Sequence, residues 1–426
     1  MKREELLPGV HFTAVSDGRY KKNTISVNFI ARLSEETAGP NALIPMLLSK
    51  SNRNLPTLRD LNKRLGELYS ASLSYGGYAY GDAQVLNLSV TAIDDKYALA
   101  GEPLLRDASR ILLDCLFMPV LEAGVFEKDS VELEKQSLID EIEADDNDKR
   151  VFALHRTREI MCEGEPAAIG KAGKIENVRK ITPAAAFEAY GELLRTAAVE
   201  IIAVGRNPDF KDAKSEFHAA FKAAYKGLTR EISDTKSVRT LPKSDTREKT
   251  ENQDIAQSKL VIGFKSKTEQ DESVMVVVNK ILGGSPTSKL FRNVREKLSL
   301  CYYCASRFVA SKTYMLIDSG VESENITKAK DEILRQFAAV QKGEITDDEM
   351  LHAKLSLEND LQTVGDSASA TSSWYLNRIY AGEIYSPEEA IVKYLKVTLG
   401  EIAAAASALT LDTVYLLTGL AEKDGV

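Results

Sequence analysis

The sequence predicts an α+β fold of two homologous domains, each a sheet covered by helices. Three observations lead there. The chain has 426 residues, more than one core usually encloses, so two domains of roughly 200 residues are the natural division. Residues 226–257 are dense in Lys, Arg, Asp, Glu, Thr and Ser without a sustained apolar period, which suits a linker or solvated crossing. The flanking halves repeat one order of strand-like and helix-like patterns, as an internal duplication would produce. The boundaries follow as 1–228, a charged linker 229–257, and 258–426.

Each element has its own signal. In the first half, residues 24–29 alternate like a half-buried strand. The apolar run 42–48 and a helix carrying Leu58, Leu61, Leu65 and Leu68 follow, then strand-like runs 69–80 and 85–91. In the second half, 259–264 is the strand, 274–282 an apolar helix, and Leu290, Phe291, Val294 and Leu298 mark another helix. Strands 300–309 and 313–321 complete this unit, with Phe264 equivalent to Phe29. Long helical stretches close each half: 125–144, 151–162 and 183–193 before a strand at 199–204, then 326–341, 346–361 and 387–395. Thr346 with Glu349, and Ser386-Pro387 with Glu389, read as capped helix starts.

Composition narrows the function classes. An apolar fraction of 44% with 28% charged residues is ordinary for a globular protein. A net charge of -8 argues against nucleic-acid binding. No window approaches the ~18 apolar residues of a membrane span, and the start, MKREELLPGV, lacks a signal-peptide apolar core. Four cysteines in this length suit free thiols in a reducing compartment. We expect a cytoplasmic protein that binds neither membrane nor nucleic acid.

The run Ile281-Leu282-Gly283-Gly284-Ser285-Pro286-Thr287-Ser288-Lys289-Leu290-Phe291 is specific, as is its continuation Val294-Arg295-Glu296-Lys297-Leu298-Ser299-Leu300-Cys301-Tyr302. Together they resemble the C-terminal domain of the insulinase/pitrilysin zinc metallopeptidases, in the mitochondrial-processing-peptidase-like bacterial branch. Segments 173–182 and 199–205 resemble the family too, and the order of elements agrees across nearly the whole chain. The resemblance implies the processing-peptidase-like metallohydrolase fold, with mostly antiparallel sheets.

That family's catalytic motif is His-x-x-Glu-His, whose spacing puts two zinc-binding imidazoles on one helix face beside a general base. Aligned on the apolar helix after Gly39, the window falls on Asn41-Ala42-Leu43-Ile44-Pro45. Asn41 is a poor zinc ligand, and Ile44 and Pro45 have no side-chain donor. Downstream, Glu134 and Glu141 stand where the family keeps a supporting Glu and its third ligand. By themselves they read as a solvated acidic helix face with Asp140, Glu143 and Asp145, and Glu141 alone cannot hold zinc.

No replacement metal site suggests itself. His11, His155, His218 and His352 are scattered, and the pairs His155/Glu159 and His352/Glu349 fall short of three ligands. Cys301-x-x-Cys304 lies in a strand-like run, so it reads as structural thiols, as do the isolated Cys115 and Cys162. Gly283-Gly284 lacks the residues of a phosphate loop and suits a turn between packed helices.

Arg295 and Tyr302 differ. Alone they read as a salt-bridge partner and a strand residue. The resemblance makes them the pair that contacts substrate: a guanidinium for a carbonyl or carboxylate, and a phenol for the oxyanion of peptide hydrolysis. Alternation turns neighbouring Tyr303 to the opposite face.

The resemblance therefore implies a non-zinc subunit of a heterodimeric metallopeptidase. It would supply Arg295 and Tyr302 while a homologous His-x-x-Glu-His subunit holds the zinc, with unfolded peptides as substrate. This chain itself would carry no cofactor and would be inactive alone, with a homodimer possible in isolation. The alternative is a catalytically silent scaffold or peptide-binding protein.

Overall fold

The computed structural model describes residues 1–207 and 210–419. The first half runs β1 (Lys2–Leu7), β2 (Val10–Ser16), β3 (Lys22–Arg32), α1 (Ala38–Leu48), α2 (Leu58–Glu67), β4 (Ser72–Tyr80) and β5 (Ala83–Ile93). Next come α3 (Leu104–Phe117), the short pair β6 (Leu121–Glu122) and β7 (Val125–Phe126), α4 (Lys128–Asn147) and α5 (Lys149–Met161). It ends with α6 (Ile175–Val178), α7 (Pro183–Thr196), β8 (Ala198–Gly205) and α8 (Lys211–Ala224).

The second half starts with β9 (Arg247–Gln253), β10 (Ser258–Ser266), α9 (Glu272–Leu282), a π-helix (Phe291–Lys297), β11 (Cys301–Val309) and β12 (Tyr314–Val321). It closes with α10 (Ile326–Gln341), α11 (Asp347–Val364), α12 (Ala368–Ala381), α13 (Pro387–Lys396), α14 (Leu399–Ser407) and β13 (Leu409–Gly419).

The duplication is explicit in the sheets. One has the order β1-β2-β8-β3-β5-β4 and the other β11-β12-β10-β13-β9. Apart from β1 the orders match, with β2, β8, β3, β5 and β4 corresponding to β9, β13, β10, β12 and β11. Even the single parallel pairing recurs, β2 with β8 and β9 with β13, while every other neighbour in the two sheets is antiparallel.

Two compact units result, and they differ from the contiguous boundaries expected. One comprises 1–143, 169–236 and 365–384; the other comprises 144–168, 237–364 and 385 onward. The first-half helix α5 thus packs on β10 and β13, and the second-half helix α12 packs on β3 and β8. Segment 229–257 is also more than a linker, because it contains β9.

This exchange explains the central strands. β3 is buried at every position except its ends, and β12 throughout, the signature of a strand covered on both faces. The alternation at residues 24–29 therefore does not mark a half-buried strand. Its polar members are buried and paired: Ser26 Oγ lies 3.0 Å from Ser372 Oγ of α12, and Asn28 Nδ2 donates to the Glu200 carbonyl. In the other unit α5 comes so close that a Cβ on Gly263 would stand 2.4 Å from Met161 Sδ. A larger residue there would have to displace the Met161 side chain.

Both expected caps form. Thr346 and Glu349 exchange backbone and side-chain hydrogen bonds, and Ser386 and Glu389 form a full capping box. Among the described residues no helix is long and apolar enough to cross a membrane.

Candidate functional site

The residues singled out by the sequence fall in two regions, one in each unit. The first is built on α1. Its residues Leu43, Ile44, Met46, Leu47 and Leu48 are all buried, which fastens the helix to the sheet by burial of apolar surface. Pro45 lies inside the helix, where it cannot donate the usual backbone bond.

The degenerate window is integrated into this packing. Asn41 is buried and donates from Nδ2 to Gln84 Oε1 at 3.1 Å. Gln84 in turn donates to the carbonyls of Ala38 and Lys171. Ile44 is 4% exposed and joins the core with Phe29 and Leu86. Pro45 reaches an open cavity of about 620 Å³, shared with Met46, Tyr75, Glu141 and Lys171. Of the five family positions, Pro45 and Glu141 meet there, whereas Asn41, Ile44 and Glu134 do not line it.

Glu134 corrects the sequence expectation. It does not belong to a solvated face but is 2% exposed, with Lys50 Nζ 3.3 Å from its Oε1. Lys50 also lies 5.6 Å from the Tyr75 ring centroid. A buried carboxylate needs a counter-charge or hydrogen-bond donors, and Lys50 provides the charge; Oε2 has no hydrogen-bond partner among the described residues. Glu141 is exposed, as expected.

Zinc does not fit this donor set. The Asn41 amide is committed to Gln84, Ile44 and Pro45 offer no donor, and Glu141 is a single carboxylate. Among the described residues no three His, Cys, Asp or Glu side chains gather to hold a metal ion. The acidic partners considered for histidine are engaged elsewhere: Glu159 pairs with Arg156, and Glu349 with Lys289 at 2.8 Å.

The second half-site lies at the start of β11. Two irregularities shape it. The π-helix winds residues 291–297 with wider turns, so that the Leu298 amide donates back to the Asn293 carbonyl, five residues earlier. Then β11 bulges. Cys301 pairs with Val321 and Tyr303 with Gly320, leaving Tyr302 as the extra residue. Bulges re-aim side chains next to functional sites, and here Tyr302 is 61% exposed.

Arg295, Tyr302, Cys301, Glu322 and Asn325 line one open cavity of about 410 Å³. The salt bridge that Arg295 would make by default is not formed: its guanidinium lies 4.5 Å from the Phe291 ring centroid, and no carboxylate pairs with it among the described residues. The Tyr302 hydroxyl donates to Glu322, and this bond to a carboxylate raises the phenol above its ordinary pKa. Tyr302 is therefore a protonated donor at neutral pH.

Tyr303 does not line this cavity and has Arg150 over its ring at 4.2 Å. Gly283-Gly284 is a close-approach site, since a Cβ on Gly283 would meet the Ser306 amide nitrogen at 2.5 Å. Sequence reasoning missed Lys50, Glu322 and Asn325, which no spacing rule connects to the motifs.

Comparison with known proteins follows the same lines. Residues 182–357 match the family described as Peptidase M16 inactive domain. Over 409 residues the chain is 29% identical to a probable inactive metalloprotease, YmfF, of Bacillus subtilis, covering 95% of each chain. A conserved protein from Enterococcus faecalis V583 superposes with a TM-score of 0.89 at 27% identity, covering 99% of both chains. The peptidase M16 inactive domain from Pseudomonas fluorescens superposes with a TM-score of 0.77 at 17% identity, over 100% of this chain and 99% of that one.

Proposed function

The chain belongs to the insulinase-type M16 metallopeptidase family, on its branch without the zinc motif, and from this we propose that it is the non-zinc subunit of a heterodimeric peptidase. The supporting observation is the state of Arg295. An exposed guanidinium with no carboxylate partner among the described residues, beside a bulge-presented tyrosine in an open cavity, is arranged for a ligand.

In the assembled enzyme the partner's His-x-x-Glu-His site holds the zinc. Arg295 binds a carbonyl or carboxylate of an unfolded peptide, its plane steadied by stacking on Phe291. Tyr302 keeps its proton and transfers its hydrogen bond from Glu322 to the oxyanion that develops on the scissile carbonyl. The four free thiols suit a reducing, cytoplasmic setting.

The test is reconstitution. The purified chain is mixed with a His-x-x-Glu-His relative from the same source, and cleavage of an unstructured peptide is followed. Cleavage that requires both chains supports the proposal. A stable complex that leaves proteolysis unaltered would instead favour the scaffold role.

A further inference from the structure

On a regular strand Cys301 and Cys304, three apart, would point to opposite faces. The bulge changes this. With Tyr302 as the extra residue, the alternation slips by one position, and Cys304 returns to the face of Cys301. The two thiols hydrogen-bond to each other, and Ser319 contacts both. Their exposures are unequal: Cys301 is partly exposed and lines the Arg295–Tyr302 cavity, whereas Cys304 is buried. A metal ion is not the natural occupant, because no third ligand gathers beside the pair among the described residues.

We propose that Cys301 and Cys304 are a peroxide-sensitive dithiol that closes into a reversible disulfide across Tyr302 and Tyr303. Cys301 attacks. The hydrogen bond from Cys304 draws its thiol down to about 7, with the Arg295 charge adding to this, while the same bond and burial push Cys304 up. A thiolate fraction at neutral pH and solvent access are what oxidation by peroxide requires. The Cys301 thiolate attacks one peroxide oxygen, the O–O bond breaks, and the leaving hydroxide takes up a proton. The Cys304 sulfur then attacks the Cys301 sulfenic acid, losing its proton as the hydroxyl departs as water. Two thiols and one peroxide give one disulfide and two waters; each sulfur loses one electron and the peroxide gains two.

Closure draws together the ends of a four-residue segment that contains the bulge, so it acts on the two residues between them, Tyr302 and Tyr303. Cys115 and Cys162 serve as internal controls. Both are buried, and burial pushes each thiol up to about 11.

The experiment treats the folded, reduced full chain with hydrogen peroxide, blocks remaining thiols, digests it and analyses the peptides by mass spectrometry. The expected result is loss of two hydrogens from the peptide carrying Cys301 and Cys304, reversed by phosphine reductant, with Cys115 and Cys162 unmodified. In Cys304→Ser that loss disappears, and a sulfenic-acid probe labels Cys301 instead. Independent alkylation of both thiols after peroxide treatment would overturn the proposal. So would over-oxidation of Cys301 without bond formation in the unaltered chain.

Discussion

The same strand order underlies both units, yet equivalent regions have been put to different uses. In the first, the helix that the family uses for catalysis has become packing: Asn41 is tied to Gln84, Ile44 is core, and Glu134 is neutralised by Lys50. In the second, a π-helix and a bulge hold Arg295 and Tyr302 at an open cavity. One region has turned polar positions into stability, while the other keeps polar groups exposed where they add none. The two should therefore respond to mutation in opposite ways, stability at the first and activity at the second.

The largest stability effect belongs to Ile44→Glu. A carboxylate at that 4% exposed position has its pKa raised by desolvation, which costs about 3–4 kcal/mol at pH 7. A raised carboxyl pKa penalises folding only above the unfolded value, so the loss should shrink as pH falls towards 5. Urea unfolding at the two pH values measures this, and a neutral substitution would show that α1 is not core.

Next is Gly263→Ala, which brings a methyl onto Met161 Sδ and should destabilise by about 1–3 kcal/mol. Combined with Met161→Ala, the loss should be smaller than the sum of the two single losses; additive losses would contradict the close approach of α5. Asn41→Ala follows. It leaves Gln84 Oε1 without its donor inside the core, at about 1–2 kcal/mol, measurable by thermal unfolding.

The smallest effects lie in the second unit. Arg295→Ala should change stability by no more than about 0.5 kcal/mol, since its side chain is exposed and unpaired. Glu322→Gln should lower the pKa of Tyr302, read by ultraviolet titration of the phenol. An unchanged titration would mean that Glu322 does not hold the hydroxyl.

Most of the layering was legible because it rests on local patterns. Apolar runs located β3, β10 and their helices, and the capping residues at Thr346 and Ser386 located two helix starts. What escaped depends on distant partners. β9, with sequence REKTENQ, looks like linker because its burial is poor and its pairing is with β13, far along the chain. The exchange of α5 and α12 leaves no local mark. The charge of Glu134 suggests solvent until Lys50, from another helix's end, is placed beside it. At the second site the motif singled out Arg295 and Tyr302, which line one cavity, but it gave no sign of the bulge. A one-residue slip in register has no sequence signal here, and it determines where Tyr302 and Cys304 point.

In the proposed heterodimer Arg295 and Tyr302 act on substrate held at another chain's zinc. The direct measurement is kcat/KM for peptide cleavage by the assembled heterodimer carrying Tyr302→Phe or Arg295→Ala, with assembly verified by sedimentation. Loss of an oxyanion donor should lower the Tyr302→Phe value by roughly a hundredfold, with assembly intact, and Arg295→Ala should also reduce it. A fully assembled heterodimer that cleaves peptide at the unaltered rate with both substitutions would contradict the account.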